Sequence, residues 1–181
     1  MLAFCFNSFG QTSFSIRRID KIKVRCNGES NGQITVIVAG GRPPYNYSVN
    51  GSTPQLSNIF PNLKAGSYTV TVRDLNNRRK DSVVLIIQPA KLTMNFSVRN
   101  LNCNGDNTGS INGRVSGGIL PYNFNWSNGS QAAQQSNLSA GSYILTVRDS
   151  INCAARDTFK ITQPAALVAT AVGTNLSCTN N

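Results

Sequence analysis

One block of about 75 residues is written twice in this chain, and any fold it adopts must be built from two copies of one unit. The first copy runs Cys26-Asn-Gly, Gly40-Gly-Arg-Pro-Pro-Tyr-Asn-Tyr, Asn50-Gly51, Ala65-Gly-Ser-Tyr-Thr-Val-Thr-Val-Arg-Asp74 and Gln88-Pro-Ala90. The second runs Cys103-Asn-Gly, Gly117-Gly-Ile-Leu-Pro-Tyr-Asn-Phe, Asn128-Gly129, Ala140-Gly-Ser-Tyr-Ile-Leu-Thr-Val-Arg-Asp149 and Gln163-Pro-Ala165. Cys26 and Cys103 are 77 positions apart, while Tyr68 to Tyr143 and Cys103 to Cys178 each span 75. A third copy therefore opens near Leu167 and is cut short at Asn181, as expected of a fragment of a longer protein. Self-similarity at a fixed period marks a tandem array, and arrays supply reach or surface more often than chemistry. The predicted domains are 15–90 and 91–165, with 166–181 beginning a third.

The local pattern is extended throughout. Ile34, Val36 and Val38 alternate with Thr35 and Ile37, and Tyr68, Val70 and Val72 alternate with Thr69, Thr71 and Arg73. Tyr143, Leu145 and Val147 repeat this in the second copy, and Leu92, Met94, Phe96 and Val98 mark its first strand. This period of two belongs to half-buried strands. Asn50-Gly51 and Asn128-Gly129 suit the positive backbone angles of tight hairpin turns. Each copy thus reads as six or seven short strands, and the chain as all-β, with tandem immunoglobulin-like β-sandwich domains. Tyr122, Phe124 and Trp126 share one strand face and are assigned to the core rather than to a sugar platform. Val83, Leu85 and Ile87 make the closing strand of the first copy apolar on its second face too, and are expected to meet a neighbouring unit or to leave a sticky edge.

Cysteine spacing and the N-terminus point to export. Cys103 and Cys153 bracket the second copy, and a bond between them would stabilise it by roughly 4 kcal/mol in the chain-entropy model. Trp126 is expected to pack on that bond. At the place corresponding to Cys153 the first copy has Arg78, and where the second has Trp126 it has Val49, which leaves Cys26 without a partner. Residues 1–10, with apolar and aromatic Leu2 to Gly10 and small Ser8 and Gly10 before Gln11, read as the remnant of a secretory signal that would carry Cys5 away. No stretch approaches the roughly 20 apolar residues of a membrane span.

The formal charge is +10, and 13 of the 17 basic residues fall within residues 1–100. Arg17, Arg18, Lys21, Lys23 and Arg25, with Arg78, Arg79 and Lys80, form two clusters that would attract polyanions through a salt-sensitive field or protect a strand edge by charge.

The ordered set Cys-x-Gly, Gly-Gly-x-x-Pro-Tyr, Trp-Ser-Asn-Gly, Ala-Gly-x-Tyr-x-Val-x-Val-x-Asp, Asn-Cys and Gln-Pro resembles the SprB repeat of bacterial gliding-motility adhesins. The resemblance covers about 24–90 and 101–165, and implies a large exported surface protein carrying many such units. Cys103, Gly117, Gly118, Pro121, Tyr122, Trp126, Gly141, Tyr143, Asp149 and Cys153 carry the full pattern; the first copy departs from it at Val49 and Arg78.

Catalysis finds little support in the residues. The chain has no histidine, which removes the usual base for a serine or cysteine nucleophile and the commonest nitrogen ligand of zinc. Seven carboxylates are present, and Asp74 and Asp149, at equivalent strand ends, suit Asx turns. Glu29 and Asp106 follow Cys-Asn-Gly, but one carboxylate per loop is poor provision for calcium. The expectation is a noncatalytic adhesin segment, secreted or at the cell surface, without cofactor or metal. Its expected partners are an extracellular surface or polysaccharide and the neighbouring repeats. The rival readings are an accessory module of a secreted polysaccharide-degrading enzyme and a polyanion-binding surface protein; nucleic acid is disfavoured for want of a motif.

Overall fold

Period-two alternation resolves into strands in a computed structural model that describes residues 13–173. The expected signal remnant at 1–10, Cys5 and Cys178 lie outside the described residues. In the first copy the strands are β1 (Ser15–Ile22), β2 (Gly32–Ala39), β3 (Asn46–Val49), β4 (Ile59–Leu63), β5 (Gly66–Arg73) and β6 (Arg79–Ile86). They form two three-stranded sheets, β1-β2-β4 and β3-β5-β6, with antiparallel neighbours. The second copy repeats the plan with β7 (Thr93–Arg99), β8 (Gly109–Ser116), β9 (Asn123–Trp126), β10 (Gln135–Leu138), β11 (Gly141–Arg148) and β12 (Ala154–Ile161), in sheets β10-β8-β7 and β12-β11-β9. First, second and fourth strands on one sheet, and third, fifth and sixth on the other, is the partition of an immunoglobulin-like sandwich lacking its fourth strand.

The strands follow the repeat, whereas compactness divides the chain differently. One unit comprises Met1–Thr93, Ser116–Tyr122 and Asp149–Cys153, and the other Met94–Val115, Asn123–Arg148 and Ala154–Asn181. Two loops of the second copy thus belong to the first unit, held there by a covalent bond described below.

The first unit buries Ile34 and Val36 of β2 and Val70 and Val72 of β5, each at 0% exposure. Phe14, Tyr47, Phe60, Val84 and Ile86 complete that core. In the second unit Trp126 is buried among Phe96 and Phe159, with ring centroids 6.3 and 5.8 Å away, and its Nε1 donates to the Ala132 carbonyl at 2.9 Å. Of the aromatic face Trp126 is core while Tyr122 and Phe124 are half-buried, and Trp126 does not rest on a bond from Cys103 to Cys153. The positions of Trp126, Phe96 and Phe159 are taken in the first copy by Val49, Ile19 and Val84, so one copy fills with rings the space the other fills with aliphatic chains.

The two hairpin turns also differ. Asn50 and Gly51 both have positive φ (47° and 73°), as a two-residue turn requires. Of Asn128 and Gly129, only Gly129 does (84°), because Ser127 adds a residue to that loop; Gly129 N donates to Trp126 O and Trp126 N to Ser130 O.

Replacing Trp126 with Ala leaves the two phenylalanines facing a void and should cost about 3 to 5 kcal/mol. Urea unfolding followed by circular dichroism checks this; a loss under about 1 kcal/mol would show that the rings do not form a packed core.

Candidate functional site: a carboxylate lock and a linking cysteine

The Asp that ends Val-Arg-Asp in each copy is almost fully buried, Asp74 at 2% exposure and Asp149 at 1%. A buried carboxylate needs donors on both oxygens, and the repeated motifs provide them. Asp149 Oδ1 accepts from the backbone N–H of Ile151 and Cys153 (3.0 and 2.8 Å), closing its own turn, and Oδ2 accepts from Ile119 N (3.0 Å). Asp74 does the same with Asn76, Arg78 and Arg42. The Gly-Gly-x-x-Pro-Tyr segment delivers the distant donor. Gly117 and Gly118 have φ of 78° and 61°, and a Cβ on Gly118 would come within 2.8 Å of Asp149 Oδ2. Tyr122 then returns its hydroxyl to Gly117 O at 2.6 Å, as Tyr45 does to Gly40 O.

The first copy adds a cation to this lock. Arg78 donates from Nε and Nη2 to Asp74 Oδ2 (2.8 and 2.6 Å) and lies over the Phe14 ring, 5.6 Å from its centroid. Burial pushes the Asp74 carboxyl up, but the Arg78 guanidinium and the N–H groups of Arg78 and Arg42 outweigh it, holding the carboxyl below its ordinary range. Asp81 is likewise held down, by the Thr71 hydroxyl and Arg79.

Cys-Asn-Gly is a second anchored turn. Asn27 Nδ2 donates to Pro89 O (3.0 Å) and Gly28 N to Gln88 Oε1 (2.9 Å), so Gln-Pro-Ala grips the turn that follows the cysteine. Asn104 and Gly105 make the same bonds to Pro164 and Gln163. The expected pairing of cysteines is overturned at this point: Cys153 bonds to Cys26, with Cα atoms 5.6 Å apart, and Cys103 is exposed with a free thiol. The cause lies in loop 149–153: Cys153 N is held on Asp149 Oδ1, and Arg25, next to Cys26, donates through Nη2 to Ile151 O at 3.0 Å. Arg78 deprives Cys26 of nothing, since its partner lies one copy further on.

The eight predicted basic residues separate into two groups. Arg18 pairs with Asp20 and Arg79 with Asp81, both at 2.9 Å, while Arg78 and Arg25 serve the contacts just described. Arg17 and Lys23 project from β1 and the segment after it and Lys80 from β6, all exposed; Lys21, also exposed, approaches only Leu85 O, at 3.4 Å. Arg17, Arg18 and Lys21 line a groove with Val83 and Leu85. Val83 and Leu85 of β6 are 71% and 55% exposed and, with Ile87 just after the strand at 56%, make a bare apolar strip beside these cations.

Glu29 folds back on its own turn, accepting from Cys26 N (3.1 Å) and Asn31 Nδ2 (2.6 Å). Among the described residues no three His, Cys, Asp or Glu converge on a point. No helix there is long and apolar enough to cross a membrane.

The SprB repeat family matches residues 24–54 and 95–131. No curated protein matches the chain. Among solved structures it is similar to the C-terminal 282-residue fragment of intimin in complex with the intimin-binding domain of the translocated intimin receptor, at 17% identity and TM-score 0.41, over 81% of this chain and 64% of that one. It is also similar to extracellular domains 3–5 of Drosophila OTK (12%, TM-score 0.33, 83% and 61%) and to the amphioxus IgVJ-C2 molecule (14%, TM-score 0.34, 82% and 98%). The chain spans less than two thirds of the first two.

Peptide mapping without reduction should recover Cys26 joined to Cys153, with Cys103 open to alkylation. Replacing both bonded cysteines with Ser should lower the stability of the first unit by up to about 5 kcal/mol, the chain-entropy value for a loop of this size. Because the Asp74 carboxyl is acidified by folding, its contribution is present above its ordinary value and lost as pH falls through the folded one. Unfolding midpoints should therefore drop below pH about 4. Asp74→Asn should flatten that acid limb; an unchanged limb would show that Asp74 is not its source.

Proposed function

We propose, from the match of residues 24–54 and 95–131 to the SprB repeat, that the chain is a noncatalytic segment of an exported cell-surface adhesin of the gliding-motility type, its copies serving as adhesive or spacer modules. One observation carries the reading: residues repeated between the copies are spent on closing loops and gripping the cysteine turn. Asp74 and Asp149 are enclosed by N–H donors, and the bond from Cys26 to Cys153 joins one copy to the next. Such a bond persists in an oxidising, extracellular setting. Most of the carboxylates that hydrolysis would require are engaged: Glu29 by its own turn, Asp20 and Asp81 by arginines, and Asp74 and Asp149 by N–H groups. This supports a module without chemistry of its own over an accessory piece of an enzyme.

A second reading, contact with acidic polysaccharide, is favoured by exposed Arg17, Lys21, Lys23 and Lys80 near the apolar strip of β6. Such attraction falls with ionic strength. Neutral glycans, acidic polysaccharides and DNA offered to the immobilised chain at low and raised salt test both readings. Retention of a neutral glycan at high salt would assign adhesion to these copies. Binding to every polyanion that fades with salt, and weakens in Arg17→Ser with Lys21→Ser, would leave a charged spacer. Antibody against the chain should label unpermeabilised cells; labelling only after permeabilisation would remove the surface reading.

A further inference from the structure

Cys103 occupies in the second copy the place that Cys26 occupies in the first, and the grip of Gln-Pro on the turn is duplicated. Gly28 and Gly105 have φ of 85° and 81°. Gln88 and Gln163 accept from those glycines at 2.9 and 3.0 Å, and Asn27 and Asn104 donate to Pro89 and Pro164 at 3.0 and 2.9 Å. A turn gripped this way in the first copy holds a cysteine bonded to the Asp149–Cys153 loop of the copy that follows. In the second copy the same turn presents an exposed free thiol beside an open groove lined by Asn102, Cys103, Asn104, Pro164, Ala166 and Leu167. Leu167, the counterpart of Leu92, is fully exposed, whereas Leu92 is 8% exposed. At an offset of 75, Leu167, Asn175, Leu176 and Cys178 stand in sequence where Leu92, Asn100, Leu101 and Cys103 do.

We infer that Cys103 is the forward half of a second staple, and that its partner is the loop cysteine of a third copy, equivalent to Cys153. Each copy then gives the cysteine of its Cys-Asn-Gly turn forward and receives through the cysteine that follows its buried Asp. The first copy fits this direction: where a receiving cysteine would stand it has Arg78, engaged with Asp74 and Phe14. Formation of the bond removes two protons and two electrons from two thiols, and a disulfide oxidant such as oxidised glutathione takes them up and becomes two thiols. The inference concerns linkage and holds whether or not the array adheres.

The test extends the full chain by a copy of residues 107–165 placed after Asn181, which completes the third unit in register. Folded in a glutathione buffer and digested without reduction, the product should contain Cys103 joined to the appended copy of Cys153. Alkylation of Cys103 should fall at least tenfold from its level in the unextended chain. A Cys103→Ser version should leave the appended cysteine alkylatable. Cys103 remaining open while the appended tryptophan is buried, joining the native Cys153, or joining Cys103 of a second chain would each overturn the inference. Should the added copy fail to fold, a peptide of residues 147–155, offered to the unextended chain as its mixed disulfide with glutathione, replaces it. Cys103 should react with it about tenfold faster than with a scrambled peptide, and equal rates would refute the proposed fit.

Discussion

A carboxylate withdrawn from water at the end of β5, and again at the end of β11, organises everything around it. Left bare it would be costly, so the chain must bring N–H groups to it from its own turn and from the Gly-Gly loop. That requirement fixes Gly118, whose backbone alone fits so close to Asp149, and places the tyrosine that ties its loop shut. The same turn sets where residue 153 stands, because Cys153 donates its own N–H to the buried oxygen. The lock therefore aims the sulfur as well as closing the sandwich.

Much of this was legible in the residues. Duplication with alternating apolar positions led directly to two sandwiches, and an Asp after a strand to an Asx turn, which both copies show. The core place of Trp126 was readable from its strand alternation, while Phe124 and Tyr122 in step with it are only half-buried. The distant donors to Asp74 and Asp149 were not readable: Arg42 and Ile119 contribute backbone groups, which leave no trace in side-chain identity.

The cysteines mark the clearest limit. Periodicity says which residues are equivalent, and it is silent about which equivalent residues meet. Cys103 and Cys153 bracket one copy in sequence, yet the loop with Cys153 packs with the turn that holds Cys26. A similar blindness affects charge. The basic clusters were visible, but not that Arg18, Arg25, Arg78 and Arg79 are already engaged within the fold.

The bond from Cys26 to Cys153 spans a separation of 127 residues. Fully extended, that stretch would measure about 430 Å. A pull on the two ends of the chain enters at β1, crosses the sulfurs and leaves through β12, so the strands between them bear no tension. Only the short outer segments can pay out under load. A protease that nicks any loop in between likewise leaves both halves tethered, and the chain resists being drawn out or severed over most of its length.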